Sequence, residues 1–279
     1  RYPSNIGLIR SAFYFSEDLG NLDSAVEYGK MIFGNNEISP NTKDYLTFAK
    51  VYAAKNEVEK ANRLFDDAYL SCTNEIEKIL ADSLKEMTAS QINKQNSKLK
   101  ELRNNERKIV DNQVKLFEGD YDKMAEVCYK YIDAKKKSQK SYYRELVTLI
   151  DIYQKQSESV DSNRIVGVLQ KLDSTYENLA IVSPDLRFRT AWYRLNNAGL
   201  LEGETRTYFG TDLAKQYYNE LIDKLDRDEL QDQLVQQCCS YLMYSCYEQW
   251  NSVKRDKRSP YRKLLNDYAN NYILLVPGD

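Results

Sequence analysis

Apolar residues recur at helical steps along most of the chain, most regularly between Thr42 and Glu75. Tyr45, Phe48, Ala49 and Tyr52 stand three, one and three residues apart. A polar break follows at Lys55-Asn56-Glu57, and Ala61, Phe65 and Ala68 then stand four and three apart. Steps of three and four put side chains on one face of an α-helix, so the segment predicts two helices. Rings and methyl groups alternate on the two stripes, and antiparallel helices interlock where a ring meets a gap. A helical hairpin with Ala49 and Ala61 at its closest approach is the expectation.

Weaker copies of the pattern surround it. Gly20 closes one helix and the run Asn21–Tyr28 opens the next; Gly119-Asp120-Tyr121 is the same turn, with Met124, Cys128 and Tyr131 beyond it. Tyr143, Leu146, Val147 and Ile150 repeat the steps of three, one and three, as do Cys239, Leu242, Met243 and Cys246. Ala214, Tyr218 and Leu221 repeat four and three, while Leu172, Tyr176 and Leu179 predict a helix closed by Pro184. Val276-Pro277-Gly278-Asp279 reads as a similar closure. From Glu75 to Phe117 the chain is polar, with Leu99, Leu102, Ile109 and Leu116 on a thin stripe, which predicts one long helix or two inserted between hairpins. From Gln154 to Val168 a polar, Ser-rich link (Ser157, Ser159, Ser162) leads into another long helix, with Asp161-Ser162 as its expected cap.

Composition sharpens this picture by what it excludes. The 279 residues include no His, which removes His-based metal sites, His general bases and His-assisted nucleophiles. Neither Gly nor Pro occurs between Pro40 and Gly119, a span that a sheet with regular turns would not tolerate. Lys and Arg number 40 against 42 Asp and Glu, so the overall charge of −2 does not recommend nucleic acid as a partner. No apolar run approaches the roughly 18 residues of a membrane-spanning helix. Cys72, Cys128, Cys238, Cys239 and Cys246 form no CxxC pair and fall in apolar stripes, where a free thiol acts as a small hydrophobe. The chain begins Arg1-Tyr2-Pro3 without Met, as a mature or trimmed form would, leaving room for a signal or lipid anchor outside it.

The hairpin between Thr42 and Glu75 resembles the tetratricopeptide repeat, whose period is about 34 residues. Pro184-Asp185-Leu186, Ala191-Trp192-Tyr193-Arg194 and Asn197-Ala198 resemble a unit of tetratricopeptide proteins from Bacteroidetes. Leu213-Ala214-Lys215-Gln216-Tyr217-Tyr218 and Ser240-Tyr241-Leu242-Met243-Tyr244 are similar to two further segments of those proteins, with Gln216 for a proline and Met243 for a glycine. The fold expected is all-α, an α-α superhelix of tetratricopeptide-like antiparallel helix pairs with an inserted long helical segment. Pairs would occupy 1–75, the insert 76–118 and further pairs 119–279, forming one continuous solenoid. The resemblance implies a periplasmic or envelope-associated protein that binds other proteins and uses no catalytic residues, cofactor or metal.

In such arrays the first helix of each pair lines a concave groove. Candidate partner-binding residues there are Lys43, Leu46, Lys50 and Ala53, then Arg144, Thr148 and Asp151, and further on Arg194, Tyr244 and Tyr247. Arg grips carboxylates through two bonds and Tyr offers contact area at low entropy cost; the same residues also suit an ordinary solvated face. Trp192 reads equally as a groove anchor or as packing between units. Asp66-Asp67 and Asp226-Arg227-Asp228-Glu229 lack the spacing of a calcium loop and read as charges at helix starts. Lys135-Lys136-Lys137 reads as a solvated basic run at a helix end. Most of the 23 tyrosines are expected to pack between helices. The function expected is a non-enzymatic protein- or peptide-binding scaffold. The alternatives are a ligand- or peptide-sensing domain coupled to an output module elsewhere, and a cytoplasmic location.

Overall fold

A computed structural model describes residues 5–82, 88–205 and 209–275. The described residues form α-helices joined by short turns and contain no strand. The chain divides into two compact units, Arg1–Cys128 and Tyr129–Asp279.

The first unit carries α1 (Ile6–Asp18), α2 (Leu22–Phe33), α3 (Thr42–Ala54), α4 (Val58–Asp82) and α5 (Ala89–Leu116). Gly20 (φ 70°) turns the chain between α1 and α2, and Asn56 (φ 59°) does so between α3 and α4. Both sit in the left-handed region that glycine and asparagine enter most cheaply. The predicted hairpin forms: Phe48, Ala49, Tyr52, Ala61, Phe65 and Ala68 are all buried. Its second helix does not stop at Glu75 but continues to Asp82, and Cys72, Ile76 and Ile79 extend the buried stripe. α5 packs on α4 and α3; Leu102 and Ile109 of the expected stripe join the buried core, Leu99 and Leu116 pack partly buried against it, and Val110 and Val114 are buried as well. Asp66, expected at a helix start, lies mid-way along α4, where its carboxylate accepts a 2.7 Å hydrogen bond from Gln113 of α5. The polar contact and the apolar stripe together seat the long helix.

Two details fix α1 and α2 against the hairpin. Asp44, fully buried in the first turn of α3, accepts bonds from Arg10 Nε at 3.0 Å, Tyr14 Oη at 2.5 Å and the Asn41 N–H at 2.9 Å. Burial and the neighbouring carboxylate hold the Tyr14 hydroxyl well above the usual phenol range. Gly29 of α2 faces the Phe48 ring so closely that a Cβ would come within 2.6 Å of it. Phe48 in turn meets Phe13 edge-on at 5.8 Å and lies 5.0 Å from Phe33.

α6 (Tyr121–Lys137) follows Gly119 (φ 94°) and runs from the end of the first unit into the second. The second unit continues with α7 (Tyr143–Ser159), α8 (Ser162–Val182), α9 (Arg187–Thr205), α10 (Phe209–Leu221), α11 (Glu229–Ser252) and α12 (Ser259–Leu275). Successive helices pack on one another, α7 on α8, α8 on α9, α10 on α11 and α11 on α12. A 3-10 turn at Pro184–Leu186 closes α8 where a proline was expected to do so. Asp161 stands at the N-cap of α8, but its side chain makes no capping bond.

The stripe expected on α7 is corrected by the structure. Leu146, Leu149, Ile152 and Tyr153 are buried, whereas Tyr143 and Val147 are exposed. α7 also buries Glu145 and Gln156, so polar residues occupy places that a hydrophobic pattern assigns to carbon. Tyr217 and Tyr218 both turn inward, the second packing edge-on against Tyr268 at 5.2 Å. The closure expected at Val276–Asp279 lies outside the described residues.

All five cysteines are free and buried. Burial pushes the Cys238 thiol up to about 12 and the Cys239 thiol up to about 11. Since the thiolate is the reactive form, the folded protein should react with a thiol reagent at pH 8 at least about a hundredfold more slowly than the denatured chain. Equal labelling rates with and without denaturant would contradict this burial.

Candidate functional site

The candidate residues from the sequence fall in different surroundings. Leu46 is buried in the hydrophobic core of the first unit and faces no solvent. Lys43 lies over the Tyr14 ring at 4.2 Å, and Lys50 pairs with Glu17 at 3.2 Å beside a cleft of about 360 Å³ that Ala53 and Lys115 also line. Arg144 is half-buried on α7, with the Thr148 hydroxyl bonded to its carbonyl at 3.1 Å. Asp151 is exposed and pairs with Lys155 one turn on, at 2.9 Å. Trp192 packs on the core of the second unit and meets the Tyr193 ring edge-on at 5.4 Å.

Arg194 is fully engaged. Its guanidinium makes a two-pronged bond to Asp173 at 2.7 and 3.0 Å and donates to the Tyr217 hydroxyl at 2.9 Å. One side chain thus ties α8, α9 and α10 together, so a charge reversal there tests folding before it tests binding. The basic run at the end of α6 is likewise partly structural, since Lys135 pairs with the buried Glu145 at 2.7 Å. Lys136 lies over the Tyr142 ring at 5.2 Å.

Tyr244 and Tyr247 remain exposed, one turn apart on α11. Tyr247 stacks on Trp250 at 6.2 Å and 23°, and both line a cleft of about 550 Å³. A 3-10 turn, Arg255–Lys257, joins α11 to α12 and folds the chain back over this aromatic pair. Arg255, Arg258 and Arg262 all line the cleft, with Leu265 at its apolar side. Arg258 is held in place: its guanidinium lies 4.5 Å from the centre of the Trp250 ring and its Nε donates to the Val253 carbonyl at 3.3 Å. Ser259 and Asn266 add a hydroxyl and an amide to the same wall.

The cleft is strongly cationic. The eleven residues 253–263 contain six Lys and Arg against one acid, Asp256. None of these six cations forms an ion pair among the described residues, and no carboxylate lines the cleft there. Sequence reading picked out the uninterrupted Lys135–Lys137 and passed over this longer, broken run, although its net charge is the larger. No group of His, Cys, Asp or Glu among the described residues could hold a metal ion, and no helix there is long and apolar enough to cross a membrane.

Comparison with protein-family models finds none that matches the chain, and comparison with curated proteins finds no significant relative.

Proposed function

We propose that the chain is a non-enzymatic helical-repeat scaffold of the tetratricopeptide type that holds a protein or peptide partner, acting in the bacterial cell envelope. The observation that carries the reading is the cleft at the junction of α11 and α12. There an exposed aromatic pair, Tyr247 and Trp250, stands beside guanidinium groups that form no ion pair within the described chain. Aromatic and Arg side chains dominate the energetics of protein interfaces, because both offer large contact area with directional polar groups. The ring-against-methyl hairpin of α3 and α4 supports the repeat type, and the resemblance over roughly residues 184–279 supports the envelope setting.

Panning the full-length chain against a random peptide display library tests the proposal. Enriched sequences should bind the native protein and lose about tenfold or more in affinity to a Tyr247→Ser variant, the usual scale for truncating an aromatic hot spot. A library that yields no enriched sequence on protein shown to be folded by circular dichroism would refute the reading.

A further inference from the structure

We propose that the cleft between α11 and α12 takes an acidic stretch of polypeptide. Two or more of the stretch's carboxylates would reach Arg255, Arg258 and Arg262, while an apolar side chain lies against Trp250 and Leu265. The proposal rests on the partner-binding reading above and adds the chemistry of the partner.

Charge carries the argument. The whole chain has a formal charge of −2, yet six cations and one acid crowd into residues 253–263. Like charges gathered on one surface repel one another, and a surface that keeps them together without internal counter-charges gains most from a partner that supplies the opposite sign. Elsewhere several half-buried cations are neutralised internally: Arg10 by Asp44, Lys135 by Glu145, Arg194 by Asp173 and Arg227 by Asp232. Arg258, the half-buried cation of the cleft, has no such counter-charge among the described residues. The three cations that line the cleft, Arg255, Arg258 and Arg262, are all Arg, whose planar fork matches a carboxylate through two parallel bonds, as Arg194 already does with Asp173.

Shape selects among anions. A cavity of about 550 Å³ has the size of a binding pocket for a few side chains. It is concave, whereas a lipid surface is met by a flat or convex cationic face. The cationic residues form one cluster at a helix junction, not the extended track that a nucleic-acid backbone needs. One face of Trp250 is covered by Arg258, which leaves the aromatic pair as a wall and not as a platform for stacking bases.

The test is fluorescence anisotropy of the full chain with two labelled octapeptides of equal length. One carries four Glu interspersed with Leu and Gly, and in the other each Glu is Gln. The acidic peptide should bind with a dissociation constant in the range of about 1–100 μM, and the Gln peptide about tenfold more weakly or not at all. Arg255→Gln combined with Arg262→Gln should weaken the acidic peptide about tenfold or more while leaving the helical circular dichroism unchanged, because both side chains are exposed. Equal binding of the two peptides, or binding unmoved by the double substitution, overturns the proposal. So does tighter binding of phosphatidylglycerol vesicles or single-stranded DNA than of the acidic peptide at matched charge and salt. The two readings fail separately: a display selection that returns neutral or basic sequences refutes the acidic partner alone, whereas a selection that returns nothing refutes partner binding itself.

Discussion

Phe65→Ala is expected to destabilise the first unit by about 3–5 kcal/mol, the range for deleting a buried aromatic ring from a close-packed core. Phe65 is 1% exposed and stands between Ala61 and Ala68 on α4, in the same core cluster as Phe48 and Ala49 of α3. Its neighbours are small because the ring occupies the space between them, so removing the ring leaves a cavity that methyl groups cannot close. Phe65→Leu, which keeps most of the volume, should cost less than half as much. Thermal unfolding followed at 222 nm would show the alanine variant melting roughly 10 °C or more below the parent. A loss no larger than that of Leu would mean that Phe65 is not the wedge between these helices.

Lys135→Ala should cost a similar amount, about 3–5 kcal/mol, for a different reason. Glu145 is 2% exposed and its Oε1 takes the Lys135 ammonium at 2.7 Å, while its Oε2 has no hydrogen-bond partner. Removing the lysine strands a carboxylate in an apolar setting, and the main cost is the lost hydration of that charge. The double variant Lys135→Met with Glu145→Leu should therefore recover most of the loss, since a well-packed apolar pair often equals or exceeds a buried ion pair. A double-mutant cycle in urea measures this directly. If the double variant is no more stable than Lys135→Ala, the carboxylate is not the source of the penalty.

The hairpin of α3 and α4 was legible in the sequence because ring and methyl positions alternate at helical steps, although α3 also buries Thr42, Asp44 and Thr47. α7 was not, because it hides Glu145 and Gln156 while leaving Tyr143 and Val147 in water, so the apolar pattern points to the wrong face. The extension of α4 past Glu75 was missed for want of any stop residue, and Gly29 gave no hint that a ring would press against its backbone. Arg194 read as a free groove residue, since its partner Asp173 lies 21 positions upstream on another helix. Tyr247 read correctly as an exposed aromatic, but the cationic cleft beside it depends on the 3-10 turn at Arg255–Lys257, which folds scattered positive residues around one tryptophan. Linear spacing carries no trace of that return.

Arg227 occupies the corner between α10 and α11. Its Nη1 donates to the carbonyls of Leu221, at the last residue of α10, and of Ile222 and Lys224 just beyond it, and its Nε binds Asp232 in the first turn of α11. A single planar group therefore serves as terminator for one rod and as tether for the next. Neither can fray alone without giving up bonds that belong to both, so amide protons at the two ends should exchange with solvent together, as one cooperative step.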